Sequence, residues 1–139
     1  MEEAAFAPLE IFPNPHESSK TIQVVDPEFS SVCPASGLPD YATVILRYVP
    51  NKSCVELKSW KMYLRSFYGV GAFHEHVNSS IIRDFASSVK PHWCQVIIRW
   101  GARGGLHTTT GMAWTEESGF TECDCTEYVF TEDTNWDNR

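Results

Sequence analysis

The sequence predicts an α+β domain whose core runs β-β-α-α-β-β. Three observations carry this. Tyr41 to Val49 (YATVILRYV) is rich in β-branched and aromatic residues. Two consecutive stretches, Lys58 to Tyr68 and Phe73 to Val89, place apolar residues at helical spacing. Two further β-prone runs, Trp93 to Trp100 and Leu106 to Trp114, flank Gly101-Ala102-Arg103-Gly104-Gly105 and form a hairpin.

Residues 1–20 contain Pro8, Pro13 and Pro15 and read as an extended N-terminal arm. Thr21 to Val25 is β-prone. Residues 26–40 form a Pro/Ser/Gly-rich loop, and the strong strand follows. Pro50-Asn51-Lys52 is a turn, and Ser53 to Glu56 is a short strand or a helix entry. Trp60, Tyr63, Leu64 and Phe67 mark the first helix, which Gly69-Val70-Gly71 breaks. Phe73, Val77, Ile81, Ile82, Phe85 and Val89 mark the second, and Pro91 stops it. Residues 115–139 read as a polar, acidic C-terminal tail. The whole, residues 1–139, is expected to be a single domain, and a chain of this length buries enough surface to need no staples.

Composition narrows the function. Hydrophobic residues make up 42% and charged residues 21%, a globular balance. No apolar run is long enough for a membrane span. The acidic start Met1-Glu2-Glu3-Ala4-Ala5 lacks a signal peptide's basic head, so a cytoplasmic location is expected. A net charge of −7 argues against direct nucleic-acid binding. Eight Asp or Glu and no Lys or Arg lie between Glu116 and Asp137, which leaves the preceding body closer to neutral. The five cysteines include Cys54 and Cys94 in apolar, strand-like surroundings, read as buried small hydrophobes. Cys123-Asp124-Cys125 is a weak metal signal without a second ligand pair.

Four clusters carry chemistry. Cys33 in Ser-Ser-Val-Cys-Pro, with Asp40 seven residues on, looks like a nucleophile with its proton donor. The same pair also reads as a packed loop cysteine and an ordinary turn carboxylate. Lys58 and Lys61 share a helix face, where ammonium groups and free helix N–H groups suit a phosphate, or they form a plain solvated face. Glu75 can accept from the N–H donors of a heterocycle, or simply complement the helix N-terminus. His74 and His76 with Cys33 can instead ligate zinc. Arg103 beside Gly104 can grip a phosphate, or decorate a turn. The tryptophans read as core and interface.

Taken in order, Ser-Val-Cys-Pro, Leu-Pro-Asp-Tyr-Ala-Thr, Val-Glu-Leu-Lys-Ser-Trp-Lys-Met-Tyr-Leu, Phe-His-Glu and Arg-Gly-Gly resemble the NADPH-dependent 7-cyano-7-deazaguanine reductases, the nitrile reductases of queuosine biosynthesis. Glu10-Ile11-Phe12-Pro13-Asn14-Pro15 and Asp137-Asn138-Arg139 look like the single-module form. The resemblance covers nearly the whole chain and is weakest over about 115–134. It implies that Cys33 attacks the nitrile carbon to give a thioimide and that Asp40 protonates the nitrogen. It also implies that Glu75, His74 and the backbone of Val55, Glu56 and Leu57 hold the deazapurine. Lys58, Lys61, Arg103 and Gly104 would bind NADPH, with no metal. The family's tunnelling fold implies an antiparallel sheet with two helices on one face. Subunits would join edge to edge into a barrel of two stacked pentamers, with sites between subunits. Leu57 stands where Ser is frequent and Tyr68 where Arg is common, which bears on the cofactor contact. A related amidinotransferase group, acting on the nitrile in tRNA, lacks the lysine motif, so Lys58 and Lys61 favour the reductase. The alternatives are a zinc-dependent GTP cyclohydrolase-like pterin or purine enzyme of the same fold and a non-catalytic nucleobase-binding scaffold.

Overall fold

The strongest strand of the sequence forms the middle of the molecule. In the computed structural model, which describes residues 6–15 and 20–123, five antiparallel strands make one sheet. They are β2 (Ile22–Val32), β3 (Pro39–Val49), β5 (Trp93–Trp100), β6 (Thr109–Thr115) and β7 (Gly119–Glu122), in the spatial order β2-β3-β5-β6-β7. Between β3 and β5 the chain makes a short strand, β4 (Ser53–Val55), and two helices, α1 (Leu57–Arg65) and α2 (His74–Val89). A seventh strand, β1 (Ile11–Pro13), pairs antiparallel with β4.

Side-chain alternation splits the sheet into two faces. Ala42, Val44, Leu46 and Tyr48 of β3 and Cys94, Val96, Ile98 and Trp100 of β5 point to one side. There they form a single core with Trp60, Tyr63 and Leu64 of α1 and with Val77, Ile81, Ile82, Phe85 and Val89 of α2. Both helices therefore cover the same face. Two polar links fix them there. Tyr63 Oη donates to Asp84 Oδ2 at 2.5 Å, joining α1 to α2, and Asn78 Nδ2 donates to the Val96 carbonyl at 3.2 Å, joining α2 to the sheet. Desolvation and the Asp84 carboxylate push the Tyr63 phenol up. On the opposite face Ile45 and Ile97 pair in register and are also buried.

Three parts of the chain differ from expectation. The strand predicted to end at Val25 runs on to Val32, through a register irregularity between Asp26 and Phe29. Pro27 lies in that irregularity on an edge strand, where its missing N–H costs no ladder bond. The Asp26 carboxylate accepts from the Glu28 N–H at 2.9 Å. The N-terminal arm contributes β1, and the acidic tail contributes β7 before the described residues end at 123. Helix boundaries shift by one to three residues. α1 ends at Arg65, and Phe67 packs into the core from the turn beyond. α2 ends in a left-handed cap at Lys90 (φ 51°), just before Pro91. Cys54 and Cys94 are buried, as their surroundings suggested, and burial pushes the Cys94 thiol up to about 12. No helix among the described residues is long and apolar enough to cross a membrane.

The start of α1 is closed by its own sequence. The Glu56 carboxylate accepts from the Lys58 and Ser59 N–H groups, each at 2.8 Å, so both oxygens act as a helix cap. Replacing Glu56 with Ala leaves those donors bare and is expected to lower stability by about 1 kcal/mol. Urea denaturation checks this; unchanged stability would remove the carboxylate from its capping role.

Candidate active site

Cys33 directly follows β2, in a loop that folds on itself. The Cys33 N–H donates to the Leu38 carbonyl at 2.9 Å, and the Gly37 N–H donates to the Cys33 carbonyl at 2.8 Å. Gly37 takes φ 73°, open to glycine at no steric cost. The loop is tied to the segment ahead of α2. The Val32 N–H donates to the Val70 carbonyl and the Ala72 N–H to the Val32 carbonyl, both at 3.0 Å. Two backbone bonds thus bring Phe73, His74 and Glu75 beside Cys33, although some forty residues separate them in sequence.

Asp40 enters from the start of β3 on the helix-covered face and is 4% exposed. His74 Nε2 lies 3.2 Å from its Oδ2. Arg103 Nη1 forms an ion pair with its Oδ1 at 3.1 Å, off the line of a hydrogen bond. Arg103 arrives on a tight turn. Its backbone exchanges both hydrogen bonds with Leu106, and Gly104 (φ 56°) and Gly105 (φ 83°) supply the two positive φ angles of a type I′ turn. The Gly101 N–H donates to the Tyr41 carbonyl at 2.8 Å, which lays the hairpin's approach against β3. Beneath His74, the Trp100 ring stacks at 3.8 Å between centroids, with planes 6° apart.

These segments enclose a cleft of about 150 Å³ lined by Cys33, Pro34, Asp40, Ala72, Phe73, His74, Glu75 and Arg103. The Cys33 thiol is brought down from 9.0 to about 6. A hydrogen bond from the Ser36 hydroxyl contributes most, followed by Arg103 and the backbone N–H groups of Ser36 and Ala35. The bond to Cys33 and the Asp40 charge in turn push Arg103 up. A half-exposed thiol, ionised at neutral pH, beside a buried carboxylate is an arrangement for nucleophilic attack with proton transfer.

The cleft unites Cys33, Asp40, His74, Glu75 and Arg103 of the expected residues. It does not include Val55, Glu56, Leu57, Lys58, Lys61 or Gly104. The Val55 N–H donates to Tyr48 Oη at 3.1 Å and the Glu56 N–H to the Glu10 carbonyl at 2.9 Å, so both are engaged within their own chain. Lys58 and Lys61 are exposed on α1. With the Glu56 carboxylate on the helix N–H groups, they bring ammonium charge without the free backbone donors expected of a phosphate site. Arg103, expected on a phosphate, forms an ion pair with Asp40 at the cleft. His76 turns its ring edge to Phe73, 6.0 Å between centroids. Among the described residues, no three His, Cys, Asp or Glu side chains are grouped to hold a metal ion. The zinc reading thus lacks its third ligand here. Cys125, half of the other metal signal, lies outside the described residues. Ser36 and Trp100 were not singled out from the sequence. Ser36-Gly37 in a Pro/Ser-rich loop was the available signal for the first, and nothing local marks the second.

Comparison with known proteins agrees with this geometry. A family model described as QueF-like protein matches residues 39–118. An NADPH-dependent 7-cyano-7-deazaguanine reductase of Chlorobium phaeobacteroides is 44% identical over 110 residues, which is 78% of this chain and 95% of that protein. This chain belongs to the QueF-like family. Reductases of the same name from Chloroherpeton thalassium (46% identical over 110 residues, 78% of this chain, 95% of that protein) and Rhodopirellula baltica (44% over 111 residues, 79% and 92%) are similarly close. The crystal structure of an archaeosine synthase QueF-Like in the apo form matches with a TM-score of 0.65 at 20% identity. It covers 69% of this chain and 94% of that one, a likeness of fold. In this QueF-like chain the thiol's donors set a measurable property. Alkylation of Cys33 by iodoacetamide, followed by peptide mass spectrometry, is expected to rise with pH through a midpoint near 6. Thiolate is the reactive form and gains population as pH increases. A midpoint near 9 would mean that these donors do not act on the sulfur.

Proposed function

We propose that this chain is an NADPH-dependent nitrile reductase that converts 7-cyano-7-deazaguanine to its aminomethyl product, for queuosine in tRNA. The observation that carries this is a cleft shared by the Cys33 thiol, a buried carboxylate and a His-Glu pair, in which the thiol's pKa is held below its usual value. The family membership and the names of the reductase relatives support it.

The chemistry follows from the residues. A nitrile carbon is electrophilic, and the Cys33 sulfur adds to it. One C–N π bond becomes the S–C bond, and the nitrogen takes a proton from Asp40 in its carboxylic-acid form, which is left as a carboxylate beside His74 and Arg103. The product is a neutral thioimide that holds the carbon fixed. Two NADPH molecules, bound in turn, would supply one hydride each to this carbon, and a second proton from solvent would complete the aminomethyl group. Between the two hydrides Cys33 departs as thiolate, back onto the donors that stabilised it at the start. Glu75 accepts from the N–H edge of the deazapurine, and His74, held flat on Trp100, borders the same cleft.

The cleft of about 150 Å³ fits one small bicyclic base. It is well below the ~300–1,000 Å³ of clefts for larger ligands, so the nucleotide of the cofactor must lie beyond it. Lys58 and Lys61 fit its phosphates as exposed cations. They lie off the cleft of their own chain, as do Val55 and Leu57, so a second copy must bring them to it. The functional unit is accordingly a homo-oligomer with sites between subunits, of the two-stacked-pentamer kind. Apolar side chains exposed near the cleft support this: Leu38, Tyr41, Phe73 and Leu106 are each more than half exposed. So does exposed apolar surface at β1 and α1, from Ile11, Phe12, Leu57 and Met62.

Intact-protein mass spectrometry after mixing with the cyano-deazaguanine alone tests the central step. Wild-type protein should gain the mass of the nitrile. Cys33→Ala should gain nothing, and Asp40→Asn should form the adduct yet turn over at least about a hundredfold more slowly, the scale of a lost acid. A persistent adduct on Cys33→Ala removes the sulfur from its role, and wild-type turnover of Asp40→Asn clears Asp40. Steady-state kinetics address the lysines. The Lys58→Ala, Lys61→Ala double variant should raise KM for NADPH about tenfold or more while changing that for the nitrile little; an unaltered cofactor KM defeats the phosphate assignment.

A further inference from the structure

The His74 imidazole is held from two sides, and one of them reaches back into the sheet. Its Nε2 meets Asp40 Oδ2 at 3.2 Å. A hydrogen bond at a ring nitrogen lies in the plane of the ring, so a tilt of that plane carries Nε2 off the carboxylate. The terminal torsion of a histidine is broad and does not fix the plane by itself. The start of α2 adds no restraint of this kind, because its cap residue Phe73 makes no side-chain cap hydrogen bond. Trp100 supplies the constraint, with its ring 3.8 Å from the imidazole and 6° from parallel. The indole is itself fixed. Trp100 ends β5 and is 4% exposed, and its backbone N–H donates to the Thr108 carbonyl at 2.9 Å. Phe29 meets it edge-on, 6.1 Å between centroids at 77°. Its Nε1–H donates to Thr110 Oγ1 on β6 at 3.4 Å. An indole N–H lies in the ring plane, so this last bond sets which way the flat face points. One line of contacts thus runs from Thr110 through Trp100 and His74 to Asp40.

We propose that Trp100, keyed by Thr110, is a positioning residue of this site: it holds the His74 imidazole in the plane in which Nε2 meets Asp40. Trp100 does not line the cleft, so it acts only through His74. Thr110 acts one step further back, by turning the indole. A buried tryptophan needs no functional reason to be in a core. The parallel stack on a cleft imidazole and the keyed Nε1–H set this one apart. The role rests on the nitrile-reductase reading only for the reaction in which its effect is measured.

Coupling to His74 is a signature that a purely structural role lacks. A residue that only fills the core adds its cost to that of any other change, whereas one that works through His74 loses its effect once the imidazole is gone. Trp100→Leu keeps apolar bulk but offers no flat face. It should lower kcat about tenfold or more, since a misplacement of about 1 Å can cost on the order of a hundredfold. In a His74→Ala background the same substitution should change kcat by less than about twofold. Trp100→Phe restores a flat face and should stay within about threefold of wild type. Thr110→Val removes only the key and should lower kcat about threefold. Trp100→Leu and Thr110→Val should both still form the nitrile adduct, because the sulfur is untouched.

The experiment combines steady-state kinetics of the full chain with proton NMR of the histidine rings in the protein without ligands. It uses wild type, Trp100→Leu, Trp100→Phe, Thr110→Val, His74→Ala and the doubles with His74→Ala. The His74 ring protons are identified among the five histidines by their loss in His74→Ala. They should lie upfield, in the ring current of the indole, and move back in Trp100→Leu. An upfield His74 signal, with a loss of kcat that disappears in the His74→Ala background, supports the assignment. Equal losses with and without His74, or His74 protons at ordinary positions in wild type, overturn it. Thermal unfolding reports whether Trp100→Leu folds; where it does not, Thr110→Val and its double with His74→Ala carry the same comparison. Wild-type protein that forms no adduct and turns over no nitrile sinks the nitrile reading. The NMR arm then decides Trp100 alone: an upfield displacement that Thr110→Val reduces supports the role, and one that it leaves unchanged overturns it.

Discussion

One buried carboxylate organises this site. Asp40 is 4% exposed and sits at the entry to β3, where the sheet offers it no hydrogen-bond donors of its own. A carboxylate removed from water is costly unless paired and hydrogen-bonded. Its partners come from two other segments: His74 from the start of α2 and Arg103 from the β5–β6 turn. Because the partners are far apart in sequence, meeting the needs of Asp40 fixes the relative position of three chain segments. The cleft is the space they leave between them.

The same arrangement ties the acid to the nucleophile. Arg103 touches Asp40 and also contributes to the low ionisation of Cys33. A single guanidinium, planar and with five donors in a fixed fork, can serve both groups and Ser36 at once. This coupling has a mechanistic consequence. In the proposed reaction, as negative charge leaves the sulfur for the nitrile, the guanidinium loses one anionic partner and gains another when Asp40 gives up its proton and becomes a carboxylate. The two changes occur on groups that share a cation, so they do not proceed independently.

Much of this was legible in the sequence, for identifiable reasons. β3 and α2 are long and strongly patterned, and their periodicity alone placed them. β1 was hidden because three residues hold no pattern and their pairing with β4 is purely tertiary. The second half of β2 was hidden because Pro27, Ser30 and Ser31 look like a loop, and only an edge strand tolerates that proline. β7 was hidden by the acidic composition around it. Cys33, Asp40, His74, Glu75 and Arg103 were named from an ordered set of motifs, although no single motif was decisive. What the sequence could not carry was assignment of partners. Arg103 is an arginine on a glycine turn whether it meets a phosphate or a carboxylate, and only the turn's position over β3 decides. Ser36 and Trp100 are ordinary residues until the loop closes and the imidazole is laid flat.

The division of duties along the chain has a physical origin. The groups proposed to perform the chemistry are held by contacts within one subunit: backbone bonds for Cys33, a buried ion pair for Asp40, and a stacked ring for His74. The α1 entrance is self-satisfied in a different way. Its N–H groups are engaged by the Glu56 carboxylate, by Tyr48 and by the Glu10 carbonyl, and its lysines stand in solvent. A segment whose backbone is already saturated cannot rearrange to reach its own cleft without leaving buried donors unpaired. It can reach a neighbour's cleft as a rigid body, with no internal bond broken. Reactive and binding halves that are each rigid are best matched across an interface, since docking two finished surfaces costs less than remaking either one.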